Sequence, residues 1–540
     1  MAKYLLALII VGAALLRVVQ VTQYPSGLNA DEAALGYNAY SLLTTGRDEH
    51  GHSWPVNLES FGDFKPAFYA YILIPFVRVF GLTELAVRLP SVIFGVIAVV
   101  IIFRLTGMIF PQSKTFPYLA GLLLAVSPWA IHYSRGGWET NLATLLLLTG
   151  TYLFMRWTVS SKTTTLLISL ICFVTTLYTY QSTRVVAPLL VLGLFAIYRK
   201  HLLTNFKKVL FVSIFTVILL VPLAISLIGS GAASRFSGVG ILADEGPVNR
   251  VNEFRGQHSA KTYFMAKLLH NRPVIYSLRF VQNYFDHFSP KYLFIIGDPV
   301  ERNKIPETGL LYLTDFILIA LGVVFVIKNP GRPTGVIWLW LFVAPVASSL
   351  TFQTPSALRS HSMIIPLILL MAAGVNYLFA LLPGKKISLV LTVCLILIYS
   401  YQLSRYLHEY YIHYPREYPA AWEYGFRQLV PYVESVKNNY DRILVTDKYD
   451  QPYILFLFYS GFSPAEFQAG HTLTFRDKFN FSTVRNYDKY HFSSTDWEKV
   501  RDIHSALIVA APEDIPDVGV NIVKTIYFPN GDPAFKIVSN

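Results

Sequence analysis

Two adjacent acids, Asp31 and Glu32, follow an apolar run at about residues 4–22 and stand at what reads as the first turn of a helix. Carboxylates there can cap the helix, pair with a cation or move a proton. The other polar residues that stand out between apolar runs are Lys65, Arg135, Glu139, Asp298, Arg302, Arg359 and His361. Such a set has the parts for transferring a sugar to a hydroxyl. A carboxylate takes the proton from a hydroxyl that attacks an anomeric carbon, and a positioned base is worth about 10²- to 10⁴-fold in rate. A departing phosphate needs cations nearby, and the fork of an arginine holds two oxygens at once.

Each residue also has a structural use. Asn29-Ala-Asp-Glu32 fits a capping box, with Asn29 as N-cap and Glu32 at the third helical position. Asp31 in the first turn suits the positive end of the helix dipole. Lys65 and Arg135 fit as interfacial side chains that reach for water, and Glu139 as a cap for the helix after it. Asp48, Glu49, His50 and His52 have metal-ligand chemistry, but neighbours in sequence cannot all face one ion.

The elements that position these groups are set by composition. Of 540 residues, 53% are hydrophobic, 15% aromatic and only 14% charged, with a mean hydropathy of +0.44. Soluble domains carry about 25% charged residues, so the chain reads as an α-helical polytopic membrane protein. Eleven apolar runs are candidate spans: roughly 4–22, 86–108, 116–132, 142–158, 163–179, 184–198, 209–229, 310–327, 335–351, 361–381 and 387–404. The eighth to eleventh read as secure.

Lys3, Lys114, Arg156 with Lys162, Arg199-Lys200-His201 with Lys207-Lys208, Lys328 with Arg332, and Lys385-Lys386 fall in short loops on one side. The positive-inside bias makes that side the cytoplasm. The net charge of +12 is thus a topology signal rather than a nucleic-acid surface. The expected protein is a multi-pass cell-membrane protein with a cytoplasmic N-terminus anchored by its first run and an extracytoplasmic tail. Its outer loops are 24–85, 133–141, 230–309 and 352–360.

"AFYAYILIPFVRVF" (67–80) is too short to span and reads as a juxtamembrane helix in the first outer loop. "VIYSLRFVQNYFDHF" (274–288) has the pattern of an amphipathic helix lying on a surface. Residues 1–404 form the membrane module and 405–540 a small α/β domain. In that domain "RILVTD" (442–447) and "ALIVAA" (506–511) read as buried strands, and Asn530-Gly531 as a hairpin turn. Asn480-Phe-Ser482 is a glycosylation sequon of a kind common by chance.

Three stretches in order carry a family resemblance: "ADEAALGYNAY", then "FGDFKPAFYAYILIPFVRVFGLTELAVRLPSVIFG", then "SPWAIHYSRGGWETN". They resemble the glycosyltransferase C superfamily, in the branch of protein O-mannosyltransferases and the aminoarabinose transferase of lipid A. The resemblance covers about residues 1–400 and implies transfer of a sugar from a polyprenyl-phosphate donor, with inversion, to an acceptor glycan, lipid or protein. It makes Asp31 the catalytic base and gives Glu32 and Glu139 to the acceptor or sugar, or to a divalent metal ion. Relatives differ in needing a metal, and the sequence does not decide it. Lys65, in "FKPAF", matches the lysine of the family's Lys-Pro-Pro stretch near the donor phosphate, although Ala67 replaces the second proline. Arg135 and Arg359 are implied as further phosphate ligands. "AWEYG" (421–425) is similar to the Trp-Trp-Asp-Tyr-Gly signature of oligosaccharyltransferases, but it lacks the paired tryptophan and has Glu423 for aspartate.

A transporter or flippase of lipid-linked sugars is the rival class. It calls for ionisable residues along the spans and repeat symmetry, whereas here the polar groups gather at one face. A polymerase or ligase of whole oligosaccharides would keep a similar outer site.

Overall fold

Each of the eleven apolar runs contains a helix in the computed structural model, which describes residues 2–229, 238–259, 261–475 and 482–540. Five described helical stretches are long and apolar enough to cross a membrane: Glu84–Ile109, Glu139–Ser160, Phe206–Ile228, His361–Leu381 and Lys385–Glu417. Of the other runs, the sixth keeps its expected length as Thr183–Ile197, and the rest form shorter helices. The third breaks at Ser127, which is extended (ψ 128°) between Phe116–Val126 and Pro128–Arg135. A residue before proline is pushed out of helical geometry, and Pro128 does that here. The eighth forms Leu313–Lys328, and the ninth is interrupted after Val343, two residues before Pro345, and resumes as Val346–Ser349.

The chain divides into two compact units. The first comprises Met1–Ile10, Ile97–Ala130 and Ala143–Gln402. Its closest helix pair is Leu313–Lys328 with Ile364–Leu381, where a methyl group on Gly322 or Gly374 would strike a backbone carbonyl of the facing helix. Small residues let helices approach in this way. Helix Arg272–Asp286 turns Val274, Leu278, Val281 and Phe285 outward and buries Asn283, which bonds to Ser349 O and Thr351 O. The amphipathic pattern read from the sequence is thus present.

The second unit comprises Val11–Val96, Ile131–Leu142 and Leu403–Asn540. It joins the first outer loop to the tail that the sequence reading separates at 404. Helix Ala30–Thr45 packs on helix Pro452–Ser460, and a Cβ on Gly36 would lie 2.6 Å from the Phe458 ring. A hairpin follows, with β1 (Asn57–Ser60) antiparallel to β2 (Asp63–Pro66) around Phe61 and Gly62, both at positive φ. Positive φ at both positions matches the twist of a tight hairpin. Helix Phe68–Phe80 is as short as expected and buries Tyr69, Ala70, Leu73 and Val77 on one side.

The tail forms a mixed seven-stranded sheet of β3 (Arg442–Val445), β4 (Thr472–Leu473), β5 (Val484–Tyr487), β6 (Tyr490–Phe492), β7 (Ala506–Ala510), β8 (Ile522–Tyr527) and β9 (Pro533–Ser539), in the order β4-β5-β6-β3-β7-β9-β8. Strand β3 pairs in parallel with β6 and β7, and the other pairings are antiparallel. The two strands and the hairpin at Gly531 (φ 94°) stand where the sequence reading puts them. Asn480 of the sequon lies outside the described residues.

Candidate active site

The helix start at Ala30 is fixed locally. Asn29 Oδ1 accepts from Glu32 N at 3.0 Å, and Glu32 Oε2 accepts from Asn29 N at 3.4 Å, which completes the capping box. From this start the two acids diverge. Glu32 turns inward and is fully buried. Arg88 grips it with Nε to Oε1 at 3.0 Å and Nη2 to Oε2 at 3.1 Å, and Gly137 N donates to Oε1 at 2.7 Å. Arg88 also holds Val21 O, Pro25 O and Gly27 O, and its guanidinium lies 5.7 Å from the Trp422 ring. Asp31 turns outward. Its side chain is 31% exposed, and its carboxylate accepts from Lys65 Nζ.

The hairpin presents Lys65. It stands on β2 opposite Leu58, with its ammonium 4.4 Å from the Phe61 ring at the turn. Glu139 opens helix Glu139–Ser160 and is nearly buried. Burial, with Glu139 and then Glu32 nearby, holds the Tyr69 phenol well above its ordinary range. Asp31, Glu32, Lys65, Arg135 and Glu139 all belong to the second unit.

Arg135, expected at a phosphate, is engaged by backbone. It is buried, with Nη1 donating to Leu16 O and Arg17 O and Nη2 to Val19 O and Tyr24 O, at 2.8–3.2 Å. Tyr410 and Tyr411 cover it at 5.0 and 5.4 Å. Both Nη groups are thus committed to backbone, and the residue ties down the chain between the first helix and Asn29. Glu32 is engaged as well, because its two oxygens already accept from Arg88, Gly137 and Asn29.

Arg359 is in the first unit, where Nη1 donates to Thr351 Oγ1 at 3.1 Å and Gln353 O at 2.8 Å. Asp298 of the same unit is buried and accepts from Val300 N and Ala357 N, so it ties its own loop to the segment at Ala357. Burial raises its carboxyl above the usual range.

The 48–52 run does not converge on one point. His52 Nδ1 lies 3.1 Å from Asp48 Oδ2, His50 Nδ1 lies 3.2 Å from His471 Nε2, and Glu49 is buried with its N–H donating to Asn38 Oδ1. Among the described residues, the group spaced to hold a metal ion is His408, Glu409 and His413, which the sequence reading passed over. Arg88 was also missed. Its one signal was an arginine inside the apolar stretch "LAVRLPSVIFG".

The family model for dolichyl-phosphate-mannose-protein mannosyltransferases matches residues 64–225. The structure of ArnT from Cupriavidus metallidurans bound to undecaprenyl phosphate superposes with a TM-score of 0.56, at 11% identity, over 99% of this chain and 98% of that one. The chain shares the fold of that structure. The same fold likeness extends to the archaeal oligosaccharyltransferase AglB from Archaeoglobus fulgidus in complex with an inhibitory peptide and a dolichol-phosphate. There the TM-score is 0.51 at 14% identity, over 94% of this chain and 69% of that one. Against the apo oligosaccharyltransferase of that organism the match has a TM-score of 0.51 at 14% identity and covers 85% of this chain, which spans 64% of that protein's length. No curated protein sequence matches the chain. The family model matches a part of the stretch, about residues 1–400, that carries the sequence resemblance, and the fold likeness extends over nearly the whole chain. "AWEYG" packs against Arg88, the partner of Glu32. Its Trp422 is buried, donates to the Tyr414 hydroxyl and meets Trp138 edge-on at 5.9 Å.

Proposed function

We propose that this protein is a membrane glycosyltransferase that moves a sugar from a polyprenyl-phosphate donor to an acceptor hydroxyl on the extracytoplasmic face, with inversion and with Asp31 as general base. The observation that carries the reading is the division of labour between adjacent acids. Glu32 is sealed and fully bonded, while Asp31 is partly open and has a lysine as its partner. The fold supports the enzyme class. The undecaprenyl phosphate and dolichol-phosphate in two of the similar structures support the donor class.

In this reading the donor phosphate draws Lys65 away from Asp31 and frees the carboxylate as the substrates arrive. The acceptor oxygen then forms a bond to the anomeric carbon while the bond from that carbon to the phosphate oxygen breaks. The phosphate departs with the electron pair, and the acceptor proton passes to Asp31. Glu139 faces the acceptor or sugar. Arg359 is retained as a phosphate ligand on the sequence resemblance alone. Glu32 and Arg135 act at one remove, by fixing the backbone on either side of the base. A cytoplasmic N-terminus and an extracytoplasmic tail belong to the same proposal.

The test uses protein in nanodiscs, offered polyprenyl-phosphate mannose, glucose or aminoarabinose together with an acceptor extract. Free polyprenyl phosphate is followed for wild type and Asp31→Asn. Release with one donor, abolished by the substitution while donor binding persists, supports the proposal. Donor binding without turnover in either protein overturns it in favour of a carrier of lipid-linked sugars.

A further inference from the structure

We propose a divalent transition-metal site at His408, Glu409 and His413, with zinc as the ion its ligands suit. The long helix Lys385–His408 does not end where its α-helical hydrogen bonding ends. It passes through one π-helical turn, Glu409–His413, closed by Tyr414 N donating to Glu409 O, and resumes as Tyr414–Glu417. In an ordinary α-helix, at 3.6 residues per turn, positions five apart point about 140° away from each other. A π turn bonds residue i to i+5, so such positions stack. The His408 and His413 rings accordingly lie 4.9 Å apart.

One ligand atom from each of the three residues lies within 4.8 Å of the other two. Zinc bonds of about 2.0–2.2 Å in a tetrahedron require donors roughly 3.3 Å apart. Rotamer adjustments that bring the atoms up to about 1.5 Å nearer close that gap. Two imidazoles and one carboxylate form a borderline-soft set that favours zinc over calcium or magnesium, which want oxygen. None of the three side chains has a hydrogen bond or ion pair to another described residue. His408 is exposed and the other two are half-buried, so an ion can arrive from solvent and keep a water as its fourth ligand.

Tyr410 and Tyr411, the aromatic cover of Arg135, belong to the same turn. An ion spanning that turn stiffens the segment that covers Arg135. The site lies outside the Asp31 cluster and does not depend on the proposed transfer reaction.

The test uses full-length protein in nanodiscs with any affinity tag removed, stripped by a chelator, incubated with zinc chloride and desalted. Metal per chain is measured by mass spectrometry, and the ligands by X-ray absorption at the zinc edge. Wild type is expected to retain one zinc per chain with an imidazole signature. His408→Ala with His413→Ala is expected to retain none, and Glu409→Gln is expected to bind more weakly. All variants should unfold at the temperature of metal-free wild type, since the replaced side chains pack little. Zinc absent from wild type, or retained equally by the double variant, overturns the site.

Discussion

Glu32 and Arg88, 56 residues apart in sequence, meet through two parallel hydrogen bonds at 3.0 and 3.1 Å with no water access to either side chain. Removing one member of such a pair leaves the other charged and buried, at a cost of about 3–5 kcal/mol. Arg88→Ala and Glu32→Ala should each unfold well below wild type in a thermal melt. The double substitution should cost far less than the sum. Arg88→Lys should not rescue the loss, because a point charge cannot supply both bonds or reach the three carbonyls.

Lys65 gives a milder pattern. It is itself largely buried, but its partner Asp31 is partly open to water, so losing the pair should cost less than the about 3–5 kcal/mol of the sealed pair. Lys65→Met should lower the melt less than Arg88→Ala does while raising KM for the donor, with Lys65→Arg intermediate. A Lys65→Met enzyme with unchanged donor KM would show that the ammonium serves Asp31 and not the phosphate.

Arg135 holds four carbonyls between residues 16 and 24. Arg135→Lys is expected to lower stability by about 1–3 kcal/mol and to speed hydrogen exchange of the amides in that stretch. Exchange unchanged there would remove the anchoring role.

Glu49 and His50 make stability depend on pH in opposite directions. Burial, reinforced by Asp48 and opposed by Asn38, Lys65 and Ser60, pushes the Glu49 carboxyl from 4.5 up to about 8. The folded chain then holds that proton more tightly than the unfolded chain, so stability is full below 4.5 and falls as pH rises toward 8. Burial, with His471 and His52, pushes His50 from 6.5 down to about 3, so stability is full above 6.5 and falls as pH drops toward 3. The melting temperature should therefore peak in the mildly acidic range and decline on both sides. Glu49→Gln should flatten the decline between about pH 4.5 and pH 8, and His50→Gln the decline on the acid side.

What the sequence revealed was what neighbouring residues decide. The capping box at Asn29 and Glu32 closes across three residues, and the Asn530-Gly531 hairpin closes on itself, so both were legible. Lys65 stood out as a polar residue between apolar runs, but its pairing with Asp31, 34 residues away, did not. Arg88 and Arg135 look alike in sequence, each an arginine at the edge of an apolar stretch. Only the folded backbone shows that both are enclosed by carbonyls of residues 16–27. Pro128 and Pro345 were visible signals for helix breaks, but unbroken hydropathy outweighed them. His408 and His413 have a spacing that places them apart on an ordinary helix and together only on a π turn.

The second unit draws its parts from both ends of the chain, and this imposes an order in time. Arg88 and Gly36 leave the ribosome early, while Trp422 and Phe458, which pack against them, follow more than roughly 300 residues later. At about 5–20 residues per second the first outer loop waits tens of seconds for its cover. During that interval Asp31 stands on an unfinished scaffold, and if the proposed function holds, activity should appear only after the last hundred or so residues have been made and have folded onto it.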